Sequence, residues 1–534
     1  MRRRGLLRTD LGYEALCAAF RWNIPANFNM SEACCDSWAR TDPNRLALIE
    51  VQEQSVRHWS YGTLKTASDR LANSFAARGL RPGQTLAVLL PQGPAFLIAH
   101  FAALKLGAVV LPLFTLFGPD ALEYRLSDAC ARIVVTDGPG AERLAGLRGA
   151  LPDLLEIYCT DPSAGRDFWA EIDRASDHLT PVRAKADDPA VLIYTSGTTG
   201  PPKGVLHAHR FLLGHLPNIE LSHGFFPQPG AVGWTPADWA WIGGLMDLAM
   251  PCLYYGVPLV SRRMRKFDAD EAFRLIRDHQ VTNLFLPPTA LKLMRGTKVP
   301  EGLCIRAVAS GGESLGAEML DWGRTTLKAP INEIYGQTEC NLVVCSSEGL
   351  FPTRPGTIGR AVPGAEVAVI GAEGHVLPAD GLGEIAVRRG HPVMFLEYLG
   401  KAEATAAKFT GDWLRTGDLG RCDVDGYFTY VARDDDIISS AGYRIGPSEI
   451  ENCLSGHPDV VMAACIGVPD AVRGEVVKAF VVLREGAAWA GLEAALITRV
   501  KDRISPHVAP RSVERRDTLP MTATGKILRR ELRG

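Results

Sequence analysis

The stretch "YTSGTTGPPKG", Tyr194 to Gly204, sets four Thr or Ser hydroxyls, three Gly and one Lys within eleven residues. Open backbone amides, hydroxyl donors and a cation are what a polyphosphate needs. The widespread phosphate loop G-x-x-x-x-G-K-[ST] is nevertheless not the pattern here. Counted from Gly197, its Gly-Lys-Ser/Thr falls on Pro202, Lys203 and Gly204, so Pro replaces a Gly and no hydroxyl follows the Lys. Three later stretches offer complementary chemistry. "NEIYGQTE", Asn332 to Glu339, puts an aromatic ring, an amide, a hydroxyl and a carboxylate together, groups suited to a nucleotide and its metal ion. In "LRTGDLG", Leu414 to Gly420, Asp418 sits in a Gly turn where a carboxylate can chelate a ribose diol. "LPMTATGKILRREL", Leu519 to Leu532, presents Lys526 after a Gly hinge, a mobile cation for a phosphate. Each residue alone has a plainer reading: Asp418 as a turn cap, Arg433 and Arg444 as partners of Asp434 or Glu449, Lys526 as a solvated charge. His207 and His209, in "GVLHAHRF", read as packing or capping residues rather than catalysts. Joint occurrence is what favours function.

A chain of 534 residues exceeds one ordinary core and predicts two or more domains to position these groups. Hydrophobic residues make up 46%, charged ones 22%, and the net charge is -2, which argues against disorder and against a nucleic-acid partner. The longest apolar region, Thr85 to Phe114, is interrupted by Pro91, Pro94, His100, Lys105 and Pro112, so no span reaches membrane length. Strand, helix, strand is expected there. The 12 Cys include no C-x-x-C and no paired metal-ligand spacing, pointing to free thiols and a cytoplasmic location. The start, "MRRRGLLRTD", lacks the apolar core of a signal peptide, while its Arg content leaves an organelle address open.

Short β-rich runs such as "TLAVLLP", "GAVVLPL", "ARIVVTD" and "TNLFLPP" alternate with helical stretches such as "YGTLKTASDRLANSFAARGL", predicting layered parallel α/β structure. After Pro363 the texture changes to "AEVAVIG", "GEIAVRR" and "GYFTYVA", strands parted by Gly and Asp turns, predicting a β-rich subdomain that closes the large domain. A final portion of about a hundred residues predicts a small α+β domain, with a helix from Pro447, strands near "VVMAACIGV" and "VVKAFVVL", and a helix near Leu492 to Ile504. The expected boundary divides residues 1–434 from residues 435–534.

Taken in order, the four chemical segments resemble the motifs of the acyl-adenylate-forming superfamily, and "SSAGYRIGPSEIE" with "PDAVRGEVVKAFVVL" is most similar to its medium-chain acyl-CoA synthetase branch. The resemblance spans nearly the whole chain. It implies that Thr195, Ser196, Gly197, Thr198, Thr199, Gly200 and Lys203 wrap the ATP β- and γ-phosphates. Gly312, Glu313 and Ser314 would flank the adenine, with Glu333, Tyr335, Gly336 and Gln337 completing the nucleotide slot. Thr338 would touch the α-phosphate, Glu339 would hold Mg²⁺, Asp418 and Arg433 would take the ribose hydroxyls, and Arg444 would sit near phosphate. Lys526 would bridge the substrate carboxylate and the α-phosphate. These types suit in-line displacement at phosphorus, which needs charge neutralisation more than a protein nucleophile. The family rotates its small C-terminal domain between half-reactions. Asp435 aligns with the hinge, Gly442 with the tunnel for the CoA thiol arm, and Arg473 and Lys501 with contacts to CoA phosphates.

The implied reaction joins a carboxylic acid to coenzyme A using ATP and Mg²⁺, through an acyl-adenylate, releasing pyrophosphate and then AMP. Acetate-specific relatives carry Trp where this chain has Gly336, so Gly336 is expected to leave room in the pocket floor, at about 0.8 kcal/mol per buried CH₂. Trp239, Trp241, Gly243 and Met246, in and after "DWAWIGG", are the other expected lining residues, with an unliganded aromatic cluster as the alternative. Medium-chain, branched and aromatic acids all stay open. Rival readings are transfer to a carrier protein or amine, a luciferase-like oxidase, and a nucleotide sensor without turnover. Family members are acetylated at the Lys that matches Lys526, which implies a protein acetyltransferase as a partner. Oligomeric state stays open.

Overall fold

The computed structural model describes residues 5–161, 164–195, 201–313, 315–433, 436–440, 443–470, 473–522 and 526–533. Among them the strands form three sheets. The first runs, edge to edge, through Glu397–Tyr398, Lys203–Ala208, Pro189–Thr195, Val109–Pro112, Thr85–Leu89, Ile133–Thr136, Glu156–Cys159 and Arg166–Asp167. The expected strand–helix–strand unit lies at its centre: Thr85–Leu89, the helix Pro94–Lys105 and Val109–Pro112, both strands buried throughout and paired in parallel. Runs of apolar residues rather than alternation mark such doubly covered strands. Alternate residues face different partners: Leu86 and Val88 join the largest apolar cluster, while Ala87 and Leu89 pack with Leu122, Leu126 and Leu144 of the flanking helices.

Pro94 opens the central helix at its first turn, where its missing N–H costs nothing. Lys105, near the helix end, is only 1% exposed and lies 2.8 Å from Asp36 and 2.6 Å from Asp69, both nearly as buried. The charge that breaks the apolar run is thus matched by two carboxylates from elsewhere in the chain.

The second sheet has a parallel core formed by Ile331–Gln337, Ala307–Gly311, Asn283–Phe285, Gly233–Trp234, Leu259–Ser261 and Leu46–Val51. One large cluster draws side chains from both sheets and from the helices Pro94–Lys105 and Phe211–Ser222, the latter buried along its whole length. The strands Val367–Ile370, Gly383–Arg388, Trp413–Cys422 and Tyr427–Arg433 were expected as a closing subdomain. They form that β-rich part, and continue the second sheet in antiparallel register through Gly359–Ala361 and Cys340–Cys345.

The third sheet is separate. Tyr443–Ile445, Ile438–Ser440, Gly474–Leu483 and Val460–Asp470 form it, with Ser512–Arg515 on the edge of Gly474–Leu483. The helices Pro447–Ser455 and Leu492–Arg503 cover it, and their apolar residues make a core of their own, as an independent domain requires. No helix among the described residues is long and apolar enough to cross a membrane, and all twelve Cys are free thiols.

Candidate active site

The first of the four chemical segments spans two antiparallel strands. Pro189–Thr195 and Lys203–Ala208 pair with Thr195 opposite Lys203 and Tyr194 opposite Gly204, so the Gly-rich stretch is the hairpin connection. Ser196, Gly197, Thr198, Thr199 and Gly200 lie outside the described residues. The second segment is also a hairpin: Ile331–Gln337 pairs with Cys340–Cys345, Gln337 opposite Cys340, which leaves Thr338 and Glu339 as its two-residue turn. Gln337 Nε2 donates to the Thr416 carbonyl at 2.9 Å and so ties this hairpin to the third segment.

Asp418 and Arg433 face each other across antiparallel strands. Arg433 Nε lies 3.0 Å from Asp418 Oδ1, and the Tyr335 hydroxyl donates to Asp418 Oδ2 at 2.7 Å. Arg433 thus pairs with Asp418, while Asp434 lies outside the described residues. Asp418 raises the affinity of the Arg433 guanidinium for its proton against the cost of burial. Burial, then the Asp418 charge, keeps the Tyr335 phenol neutral.

Glu333, on the same strand as Tyr335, is buried. Leu315 N–H donates to its Oε1 at 2.9 Å, while Oε2 has no partner among the described residues. Burial pushes its carboxyl up to about 8, so it is protonated at neutral pH. Gly312 adopts φ +104°, and a Cβ there would stand 3.6 Å from Lys526 Cε and 3.7 Å from Trp241 Cζ2. The C-terminal Lys thus reaches the backbone at Gly312. Crowding by protein lowers the Lys526 pKa although water reaches the side chain; Arg433 adds to this, and Asp418, Glu313 and Glu339 oppose it. Glu313 lies 3.5 Å from Lys292.

Two residues without a recognisable motif complete the constellation. Tyr398 donates to Glu339 Oε1 at 2.5 Å, and the Lys203 ammonium lies 5.0 Å from the Tyr398 ring centre. Lys408 Nζ approaches the Thr416 carbonyl at 3.4 Å; burial lowers its pKa, against the pull of Glu339 and Asp418. Lys203, Lys408, Arg433 and Lys526 outnumber Glu339 and Asp418, a balance that suits a polyanionic substrate. Among the described residues no cluster of three or more His, Cys, Asp or Glu could hold a metal by itself. A single carboxylate, Glu339, fits a Mg²⁺ that takes its remaining ligands from nucleotide phosphates and water.

The expected acid pocket needs correction at several positions. Trp239 and Met246 have no exposed surface, and Trp239 packs edge-on against Phe96 at 5.6 Å, so both are core residues. Trp241 is the partly exposed ring, 5.5 Å from Phe285. Gly243 lets these two rings close, since a Cβ there would stand 3.0 Å from each. Gly336 does not open a pocket floor: a Cβ would stand 2.3 Å from Leu342 N and 2.7 Å from Asn341 Cα. Its smallness serves close backbone approach within the hairpin. Behind it lies a buried polar group that the sequence reading missed, in which Asn341 Nδ2 donates to Asp247 Oδ1 at 2.6 Å and meets His215 Nε2 at 3.0 Å.

His207 is buried and stacked on Phe211 with ring centres 3.9 Å apart, and His209 Nδ1 accepts from Met30 N–H at 3.2 Å, in line with packing and capping roles. Ser314, Asp435 and Gly442 lie outside the described residues. Arg444 lies on the strand Tyr443–Ile445, Arg473 just before the strand Gly474–Leu483, and Lys501 in the helix Leu492–Arg503.

Both parts of this arrangement match one family. Residues 35–399 match the AMP-binding enzyme family and residues 449–526 the AMP-binding enzyme C-terminal domain. The chain belongs to this family, the adenylate-forming enzymes, and is an AMP-forming acyl-CoA ligase. It is 32% identical over 531 residues to human mitochondrial acyl-coenzyme A synthetase ACSM4, covering 96% of this chain and 91% of that one. Among solved structures, it resembles a Brucella canis acyl-CoA synthetase (33% identity, 98% of each chain, TM-score 0.76). It also resembles the anthranilate CoA ligase AuaEII in complex with anthranoyl-AMP (25% identity, 96% of this chain and 97% of that one, TM-score 0.88).

Proposed function

We propose that this ligase activates a medium-chain, branched or aromatic carboxylic acid and passes the acyl group to CoA, and that the residues gathered around Lys526 carry out the first half-reaction. The observation that carries this reading is the placement of Lys526 Cε beside Gly312, in the company of Asp418, Glu339 and Arg433. In that half-reaction a carboxylate oxygen of the acid attacks the α-phosphorus of ATP, the bond to the bridging oxygen breaks, and pyrophosphate leaves. Lys526 offsets the charge shared by the acid and the α-phosphate. Thr338, at the hairpin tip, donates to the same phosphate, and Lys203 with the Gly-rich connection holds the departing pyrophosphate. Mg²⁺, when bound through Glu339, neutralises phosphate oxygens. Asp418, already oriented by Arg433 and Tyr335, accepts from the ribose hydroxyls. Glu333 Oε2, which has no partner among the described residues, would offer adenine a hydrogen bond.

In the second half-reaction the CoA sulfur attacks the acyl carbon and AMP leaves. Gly442 would admit the thiol arm after the small domain, joined at residues 434–435, rotates. Arg473, Lys501 and Arg444 remain candidates for phosphate contacts.

The Trp241–Phe285 wall supports an apolar or aromatic acid over acetate. Twelve free thiols support a reducing compartment such as the cytoplasm. Acetylation of Lys526 by a protein acetyltransferase would remove its charge and silence adenylation.

Pyrophosphate release with CoA across acetate to decanoate, isobutyrate, benzoate and phenylacetate tests the substrate class. Acetate as the best substrate would reject it. Lys526→Ala should slow pyrophosphate release on the order of 10²-fold or more, as loss of a group that stabilises the transition-state charge does. It should spare thioester formation from supplied acyl-adenylate. Equal loss of both half-reactions would remove Lys526 from the assigned role.

A further inference from the structure

The aromatic ring beneath Lys203 has no part in the sequence motifs, yet it touches two of their charged groups. Tyr398 belongs to the short strand Glu397–Tyr398, which pairs with Lys203–Ala208 so that Tyr398 lies opposite Val205. The backbone fixes this strand on both sides: Leu396 N–H donates to the Leu206 carbonyl at 2.7 Å and Leu399 N–H to the Gly204 carbonyl at 2.8 Å. Phe395 N–H donates to the Glu339 carbonyl at 2.9 Å, joining the strand to the tip of the second hairpin. Phe395 also packs against the Tyr398 ring at 5.0 Å. The Tyr398 side chain is therefore held in place before any substrate arrives.

From this position its hydroxyl donates to Glu339 Oε1 at 2.5 Å, engaging one of the two carboxylate oxygens. Its ring lies 5.0 Å from the Lys203 ammonium, within the range at which a cation is attracted to an aromatic ring. A carboxylate that binds a metal is oriented by the hydrogen bond made to its other oxygen. A Lys that clamps phosphate likewise loses less entropy on binding when its ammonium is already seated.

We infer that Tyr398 is a positioning residue for adenylation, which couples the metal-binding carboxylate Glu339 to the phosphate-loop cation Lys203 through one rigid ring. The inference rests on the roles proposed above for those two residues. It adds a physical link between two segments separated by more than a hundred residues in the chain. Acyl transfer to CoA, which takes place after pyrophosphate has left, does not need this link.

The test uses the full chain carrying Tyr398→Phe, which keeps the ring and removes the hydroxyl, and Tyr398→Leu, which removes both. Binding is read with Mn²⁺ as the probe, from the spectrum of free Mn²⁺ in the presence of α,β-methylene-ATP, an analogue that cannot react. Tyr398→Phe should weaken Mn²⁺ binding by about 10- to 100-fold, the range seen when a group that orients a metal ligand is removed. Tyr398→Leu should in addition raise the KM for ATP in pyrophosphate release. Both variants should form thioester from supplied acyl-adenylate at the parent rate, which also shows that they fold.

Unchanged Mn²⁺ binding in Tyr398→Phe, or equal loss of both half-reactions, would overturn the inference and leave Tyr398 a core aromatic. Glu339→Gln separates this outcome from failure of the underlying reading. If Glu339→Gln weakens Mn²⁺ binding and Tyr398→Phe does not, only the role of Tyr398 falls. If Glu339→Gln also leaves Mn²⁺ binding intact, the assignment of Glu339 falls and the inference falls with it.

Discussion

Glu333 shows how a buried carboxyl contributes to the pH dependence of stability. Its ordinary value of 4.5 rises to about 8 in the folded chain, because burial penalises the charged form more than the Leu315 N–H favours it. Between those two values the folded protein holds a proton that the unfolded chain releases. This stabilising contribution is therefore complete below about pH 4.5 and is lost as the pH rises through about 8. Glu333→Gln keeps an oxygen acceptor for Leu315 and cannot ionise, so it should flatten the fall in Tm between pH 5 and 8.5. An unchanged slope in a pH series of melting curves would show that Glu333 is charged in the folded state. The sequence marks Glu333 only as a neighbour of Tyr335. Its protonation depends on burial in the folded chain, which no local pattern encodes.

At the scale of the element, two hairpins of different sheets bring Lys203 and Glu339 to the same ring, Tyr398. Gly336 belongs to the geometry of the second hairpin, since a Cβ there would collide with the backbone at Asn341 and Leu342. Backbone cannot move aside as a flexible side chain can. Gly336→Trp should therefore cost at least the roughly 1–3 kcal/mol typical of overpacking, seen as a lower Tm, with no switch towards acetate. A folded variant with parent Tm that prefers acetate would restore Gly336 to the pocket floor. Composition and spacing make this Gly look like missing volume. Only the paired strand shows which way a side chain would point. The strands and helices themselves were largely legible, including the central strand–helix–strand unit, because continuous apolar runs bounded by Pro and Gly have few other solutions. The continuation of the second sheet through the later strands was not legible, because sequence patterns do not state which strand edges pair.

For the whole molecule, the relation between the two domains becomes the variable. Glu318, on the large domain, lies 2.9 Å from Arg499 and 3.5 Å from Arg503 of the C-terminal helix, and 3.2 Å from Arg295 of its own domain. These residues line a cavity of about 240 Å³ at the domain junction, apart from the residues assigned to catalysis. The same arrangement holds Lys526 beside Gly312, so on the reading proposed above the ion pairs favour the adenylating pose. Glu318 is 35% exposed, which limits the effect of the network. Glu318→Ala should slow pyrophosphate release by roughly fivefold, equivalent to an exposed network worth about 1 kcal/mol, and leave thioester formation from supplied acyl-adenylate unimpaired. Matched loss in both assays would count against a contact specific to one pose.

What the sequence determined by itself was the set of chemical groups: the Gly-rich hydroxyl loop, the "YGQTE" turn, Asp418 and Lys526, each with a plainer reading alone, together resemble the motifs of one family of adenylating enzymes. Tertiary structure decided which groups act together. It matched Lys105 to Asp36 and Asp69, gave Asp418 to Arg433 and Tyr335, buried Trp239 and Met246 in the core, and set Tyr398 between Glu339 and Lys203. The physical reason is range. Motif residues carry their chemistry within a few positions, whereas burial, ion pairing and shape complementarity depend on segments that meet only when the sheets and domains assemble.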